Sequence, residues 1–373
     1  MKDVHFDLHG LSVSIATDTP ELSAFVKAHF EAARGATQQA DIEVEASWRW
    51  GEQAVAETRR PSGAALAGQQ KAGRGLLLAP RESGGIRARW NRVPDFPELT
   101  FELEMGGDLG TRLKLRAVCA YAPRGAIRTL EYMRPGRVQR KRDRLFFKLM
   151  YFMAYYPIAW KMERTRGWGL AHASAVTLPS GATAMLSGMG GVGKSTLAMA
   201  LLSHPGARLL SDNLLLHDDE RIYAMPEPLR LDESAVAGVG EEGVELARSK
   251  LPLTAHPKPT WTVGAARTIP AATPTALFFL RFGSQPAMIP IDPDKASQLL
   301  SCGNDLAREI KDYRPCSALL SMIAAESGAI PAAPRAAMAR LVSTARCYIV
   351  TIGAGESIAA TAGRLSRTAE GRQ

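Results

Sequence analysis

One octapeptide constrains this chain more than any other stretch. Gly188-Met189-Gly190-Gly191-Val192-Gly193-Lys194-Ser195 is a full G-x-x-x-x-G-K-S pattern, followed by Thr196. The apolar run 182–187 before it reads as a buried strand, and 195–203 after it reads as a helix. In that setting the glycines let successive backbone N–H groups turn inward around phosphate oxygens, and the helix N-terminus adds a positive field. The expectation is a nucleotide-binding loop in which Lys194 bridges the β- and γ-phosphates and the Ser195 hydroxyl ligates Mg²⁺. The plainer alternative is a glycine-rich turn that merely joins strand to helix, and it explains an eight-position match poorly.

The loop alone does not name a reaction, because such strings also occur in signalling NTPases and partitioning ATPases. Two features narrow the choice. Met189 stands where partitioning ATPases carry an extra lysine. An aspartate, Asp212, ends the apolar strand 209–211 only eighteen residues after Lys194, where the alternatives place their second acidic strand far downstream. An aspartate delivered there suits contact with Mg²⁺ or with a substrate hydroxyl. A surface turn residue is the plainer reading of Asp212.

The rest of the chain sets the frame. Its 373 residues exceed one small domain, and 46% hydrophobic with 22% charged residues is ordinary globular composition. No run of eighteen uncharged apolar residues occurs, and the first thirty residues lack the order of a secretory signal, so a cytoplasmic protein is expected. The net charge of +9 permits an acidic partner without choosing one, and nothing points to specific nucleic-acid binding. Cys119, Cys302, Cys316 and Cys347 show no C-x-x-C spacing, which argues against zinc and for reduced, mostly buried thiols.

Along the chain, Val4, Phe6 and Leu8, a His9-Gly10 turn, and Leu11, Val13 and Ile15 predict a hairpin. A helix starts at Pro20, with Leu22, Phe25, Val26 and Phe30 on one face, and stops at Gly35. Strands are expected at 41–50, 86–90, 99–105 and 113–118, and a mobile loop over 51–75. Between Arg124 and Lys148, nine Lys or Arg face two acids, and the aromatic run 145–160 follows. That run reads as a buried connecting helix; contact with an anionic membrane surface is the other reading, disfavoured by its length and by Lys148 and Pro157. From Gly169 the texture is α/β, with strands at 277–281 and 347–351 and helices near 295–300 and 336–343. The expected division is a β-rich module over 1–122, a basic and apolar connector over 123–167, an α/β domain over 168–365 and a frayed tail over 366–373.

A third element adds a resemblance. His172, within Leu170-Ala171-His172-Ala173-Ser174-Ala175-Val176, precedes a Pro-Ser-Gly turn, the loop strand, the loop, its helix and then Ser211-Asp212-Asn213. That order resembles the C-terminal domain of HPr kinase/phosphorylase and related kinases, with remoter kinship to phosphoenolpyruvate carboxykinase. It covers roughly 168–235 well and 270–365 in outline, and 1–160 not at all. The resemblance implies an α/β P-loop kinase domain of the HPr-kinase type behind a mixed, β-rich N-terminal module. It makes Gly188 to Thr196 the ATP loop and His172 an active-site residue near the transferred phosphate. Asp212 becomes the acid that takes the substrate proton or helps hold the metal. Arg230, in Pro226-Glu227-Pro228-Leu229-Arg230, becomes a neutraliser of phosphate charge.

The chain departs from the family in two places. Asn213 stands where true HPr kinases have a second aspartate, and their Glu-x-Arg-Gly signature is missing. In its place, 240–272 carries Arg248, Lys250, Lys258 and Arg267 among prolines, read as a substrate-side loop or equally as a solvated linker. Together these readings predict an ATP- and Mg²⁺-dependent kinase acting on a hydroxyl, Ser or Thr of an unidentified protein or peptide. A nucleotide-dependent regulatory protein and a small-molecule kinase are the alternatives. A homo-oligomer is expected only through the resemblance.

Overall fold

The computed structural model describes residues 2–30, 33, 35, 40–59, 70–80, 85–91, 93–105, 112–122, 137–232, 236, 246–248, 260–327 and 338–372. It is a mixed α/β structure with several sheets and a β-rich N-terminal region. The chain divides into two compact units. The first comprises 1–165, 251–256 and 312–333, and the second 166–250, 257–311 and 334–373.

The first unit is built on eight strands: β1 (Lys2–Leu8), β2 (Leu11–Thr17), β3 (Ile42–Trp50), β4 (Gln70–Gly73), β5 (Leu76–Pro80), β6 (Ile86–Trp90), β7 (Leu99–Met105) and β8 (Leu113–Tyr121). They form one sheet in the order β1-β2-β3-β8-β7-β6-β5-β4. The β2–β3 and β3–β8 pairs are parallel and the others antiparallel. Strict alternation in β2 buries Leu11, Val13 and Ile15 on one face, as a half-covered sheet requires. The other face carries cross-strand charge pairs, among them Arg89–Glu102 at 3.5 Å and Lys114–Glu43 at 3.2 Å.

Helix α1 (Pro20–His29) packs on β1 and β2, and Phe6 stacks on Phe30 with ring centroids 3.9 Å apart. The aromatic run is buried within this unit. It follows α3 (Arg137–Met150), passes through a π-turn at Tyr151–Tyr155 and enters α4 (Tyr156–Arg166). Pro157 accounts for the wide turn, since it has no N–H to give and its ring would crowd the carbonyl four residues back. Trp160, fully buried, donates to Ser321 Oγ at 3.0 Å, and Tyr313 donates to Glu163 at 2.6 Å.

The second unit holds a six-stranded sheet: β10 (Ser174–Thr177), β11 (Thr183–Ser187), β12 (Arg208–Ser211), β19 (Ala276–Gly283), β20 (Ala287–Ile291) and β21 (Arg346–Gly353), in the order β12-β10-β11-β19-β21-β20. The β11–β19 and β19–β21 pairs are parallel. Both faces are covered, so β19 is apolar at consecutive positions. Its Phe278 and Leu280 join helices α5 (Lys194–Leu202) and α9 (Ile358–Ala369) through Leu197, Leu201 and Leu365. Leu277 and Phe279 instead meet α6 (Pro293–Leu306) and α8 (Met338–Ser343) through Ala296, Leu300, Leu341 and Val342.

Two smaller sheets complete the unit. One joins β9 (Gly169–Ala171), β13 (Leu215–His217), β14 (Ile222–Ala224) and β18 (Ala271–Ala272). The other joins β15 (Leu229–Arg230), β16 (Leu246–Arg248) and β17 (Thr260–Val263).

Several expectations need correction. The stretch 51–75 is not one loop: it contains α2 (Glu52–Arg59) and β4, while 60–69 lie outside the described residues. Of the tail expected to fray over 366–373, residues 366–369 are instead the end of α9, where Ser366 and Ala369 are buried. A long helix, α7 (Arg308–Ser327), was not expected at all; Pro315 inside it hides the helical signal. Cys119, Cys316 and Cys347 are buried, whereas Cys302 is exposed. Arg267 serves no substrate-side loop. It donates to the carbonyls of Leu202, His204 and Ala207 and so closes the C-terminal end of α5, where a cation is favoured. Lys250 and Lys258 lie outside the described residues, as does the side chain of Arg248.

Candidate functional site

The glycine loop leaves the C-terminal end of β11 and enters α5, and its backbone shows why glycine is needed. Gly188, Gly191 and Gly193 have φ of 141°, 83° and 95°, in the left-handed half of conformational space that side chains disfavour. A Cβ on Gly188 would lie 2.8 Å from the Leu280 carbonyl oxygen in β19. Cβ atoms on Gly190, Gly191 and Gly193 would meet nothing within 4 Å. The loop is therefore pinned to the sheet at its first glycine and open where the others lie. Met189 stands exposed, and Val192 is buried against the α5 core.

Lys194, the first residue of α5, is buried and folds back over the loop. Its ammonium donates to the carbonyls of Gly188 at 2.9 Å and Met189 at 3.2 Å. Burial lowers its pKa from the ordinary lysine value, while the negative charges of Asp212 and Glu309 act in the opposite direction. Ser195 and Thr196 follow, both half-buried.

Asp212 is no surface turn residue. It is buried at the end of β12, beside β10, and Ser174 of β10 donates to its Oδ1. Asn213, next in the chain, has φ 74°, a conformation that asparagine tolerates better than most side chains. Its Nδ2 donates to Glu227 Oε2 at 3.0 Å. Glu227 in turn faces Arg230 at 3.4 Å, and Arg230 also faces Glu309 of α7 at 3.6 Å.

His172 lies between β9 and β10, 7% exposed. Its backbone N–H donates to Asn304 Oδ1 of α6 at 2.8 Å, and Asn304 Nδ2 donates to Leu170 O at 3.4 Å. Burial first, and then the Lys194 charge, push its pKa down to about 4, against the opposing pull of Glu309, Asp212 and a side-chain hydrogen bond with Asn213. The imidazole is neutral near pH 7.

The structure thus brings His172, Lys194, Asp212 and Arg230 into one cluster with the glycine loop. It adds Ser174, Glu227, Asn304 and Glu309, to which sequence reasoning gave no role. Ser174 had a signal, standing two residues from His172 in a strand-like stretch. Glu309 had none, being 97 positions beyond Asp212 in sequence and brought back only by α7.

Among the described residues, no group of three or more His, Cys, Asp or Glu side chains could hold a metal by itself. The donors present, the Ser195 hydroxyl and the Asp212 carboxylate, are hard oxygens. They fit Mg²⁺, which is commonly held by one or two protein ligands together with substrate phosphates. The open glycine positions and the buried Lys194 ammonium likewise fit a polyphosphate.

No helix among the described residues is long and apolar enough to cross a membrane. No family model matches the chain, and no curated protein matches it. Among solved structures it is similar to the HPr(Ser) kinase/phosphatase from Coxiella burnetii, at 8% sequence identity and a TM-score of 0.26, covering 54% of this chain and 96% of that one.

Proposed function

We propose that this chain is an ATP- and Mg²⁺-dependent kinase that transfers the γ-phosphate to a hydroxyl, that of Ser or Thr in a protein or peptide. The observation that carries the reading is a buried lysine folded over an open glycine loop, with the buried Asp212 near enough for its charge to act on that lysine. Lys194 lies over a glycine loop open at three positions, and its charge interacts with that of Asp212. A phosphate cradle alone would serve binding; a cradle with an acid beside it serves transfer.

Loop N–H groups from Gly188 to Thr196 bind the triphosphate, and Lys194 shifts from the loop carbonyls to the β- and γ-phosphates. Ser195 and Asp212 would hold Mg²⁺, which would supply divalent charge to the phosphate oxygens. Asp212, held at one oxygen by Ser174, also orients the incoming hydroxyl. Arg230, between Glu227 and Glu309, is a reserve of positive charge for the transferred group. Such catalysis works mainly by positioning and charge stabilisation, with little covalent chemistry left to the protein.

The test is transfer of γ-labelled phosphate from Mg-ATP into a lysate of the source organism and into a small-molecule hydroxyl panel. Lys194→Ala and Asp212→Asn serve as controls. A labelled protein or peptide band lost in both variants is the expected outcome. ATP bound by the wild type with no labelled acceptor in either pool would replace the kinase reading with a regulatory one. ATP affinity unchanged in Lys194→Ala would remove the nucleotide assignment itself.

A further inference from the structure

The loop strand β11 has two unlike sides. The sheet order is β12-β10-β11-β19-β21-β20, so β10 and β12 lie on one side and β19 and β21 on the other. The first side carries Ser174 on β10, Asp212 at the end of β12 and His172 just ahead of β10. The second side finishes in apolar side chains.

Register locates them. Ser187 pairs with Phe279 in parallel, and a Cβ on Gly188 would lie 2.8 Å from the Leu280 carbonyl oxygen. Side chains alternate along a strand, so Phe282 shares the face of Phe278 and Leu280, the face that α5 and α9 cover. Phe282 stands one step beyond that cover, three residues past the level of Ser187, or about 10 Å farther along. Its register partner on β21 is Ile352, half-buried at the margin of the same core as Ile358 at the start of α9. Phe282 is 67% exposed and Met189 is 63% exposed, more than any other large hydrophobic side chain among the described residues. Met189 follows Gly188 in the chain, and Phe282 is two residues past the carbonyl on which Gly188 is pinned.

Single exposed hydrophobic residues are ordinary on a protein surface. This ring differs by its place. Ligands of open α/β sheets bind outside the carboxyl ends of the strands, and β11, β19 and β21 run parallel toward that end. Neighbouring strands are about 4.8 Å apart, so β19 is one such step from the loop strand and β21 two, a gap of the size that a ribose bridges between phosphate and base.

We infer that Phe282, with Ile352 beside it, is the platform on which the base of the bound nucleotide stacks. The inference rests on the nucleotide reading of the loop. With the phosphates on the loop N–H groups and the terminal one toward Asp212, the base leaves on the opposite side, over β19 and β21. An exposed aromatic ring suits the flat face of a base. A docking protein with an apolar side chain is the competing occupant; continuity with the phosphate loop favours the base, because phosphate and base belong to one ligand.

The test sets two ligands against the full chain. Mg-ATP carries a base and magnesium-bound inorganic triphosphate does not. Calorimetry gives the Kd of each for the wild type, Phe282→Ala and Phe282→Trp, both substitutions falling at an exposed position where the fold tolerates change. Loss of base stacking on an aromatic ring weakens binding by ~5- to 150-fold. Phe282→Ala should weaken ATP by that factor and leave triphosphate within about twofold, whereas Phe282→Trp, which keeps a ring, should hold ATP within about threefold of the wild type.

Unchanged ATP affinity in Phe282→Ala overturns the platform and leaves the ring to a docking protein. Equal losses of ATP and triphosphate overturn it too, because the effect then lies in the loop. A wild type that binds triphosphate but not ATP overturns the platform while leaving the loop its phosphates. A wild type that binds neither removes the nucleotide reading itself, and the platform with it.

Discussion

Three glycines of one loop should respond to alanine in three different ways. Gly188 has φ 141°, and its added Cβ would lie 2.8 Å from the Leu280 carbonyl oxygen and 3.1 Å from Val192 Cγ1. That carbonyl belongs to β19, which β11 and β21 flank in parallel register, so it has little room to give. Backbone strain at such a residue costs of order 1–3 kcal/mol, and overpacking adds about 1–3 kcal/mol. Gly188→Ala should therefore lose ~2–5 kcal/mol. Gly193 has φ 95° but open space beyond it, so only the backbone term applies and Gly193→Ala should lose ~1–2 kcal/mol. Gly190 has neither a positive φ nor a neighbour within 4 Å, and Gly190→Ala should be neutral.

Thermal unfolding of the three variants beside the wild type reads this order directly. A domain of 150–250 residues loses about 2–4 °C in Tm per kcal/mol, so Gly188→Ala should fall by roughly 5 °C or more. ATP titration by calorimetry adds the functional axis, on which Gly193→Ala should bind more weakly than its stability loss explains, since its Cβ enters the cradle. Equal Tm values for Gly188→Ala and Gly190→Ala would refute the reasoning, because the two differ only in the conformation and contact on which it rests.

Three further outcomes are expected. Asn213→Asp sets a carboxylate against Glu227 near 3.0 Å and should destabilise the chain by ~1–3 kcal/mol in denaturant unfolding; a gain in stability would contradict the amide's role as donor. His172 is neutral when folded, with a pKa of about 4 against 6.5 when unfolded, so the unfolded state binds more protons between those values and stability falls as the pH is lowered across that window. The loss is up to about 3 kcal/mol at ~1.4 kcal/mol per unit, and His172→Gln should lose correspondingly less between pH 7 and pH 4.5. Gly169→Ala should cost ~1–3 kcal/mol, because its Cβ would lie 2.3 Å from Nε2 of the buried His217 ring across the β9–β13 pair, and a wild-type Tm would show that the ring moves freely.

Much of this molecule was open to a reader of the sequence because its signals are local. Period-two alternation marks β2 and β7, and Pro20 opens α1. The glycine pattern between an apolar strand and a helix marks the loop, since those glycines are demanded by the backbone angles of the loop itself. Local reasoning failed where a residue's surroundings come from far along the chain. Arg267 reads as a loop cation until three carbonyls at the end of α5 surround it. Pro315 disguises a helix of twenty residues, and the small, polar 51–75 stretch hides α2 and β4.

What the sequence alone determined is the loop, its lysine and its strand–helix frame, for their chemistry is written in eight consecutive residues. Only the tertiary structure decided the rest of the site. Ser174, Asn304 and Glu309 come from three separate elements and Glu227 from the link between β14 and β15, and no spacing rule joins them. His172 is tied by its backbone N–H to Asn304 and lies buried among the charges of Lys194, Asp212 and Glu309. Such contacts pass through space from element to element, so Asp212 and Glu309, 97 positions apart in sequence, act on one ring.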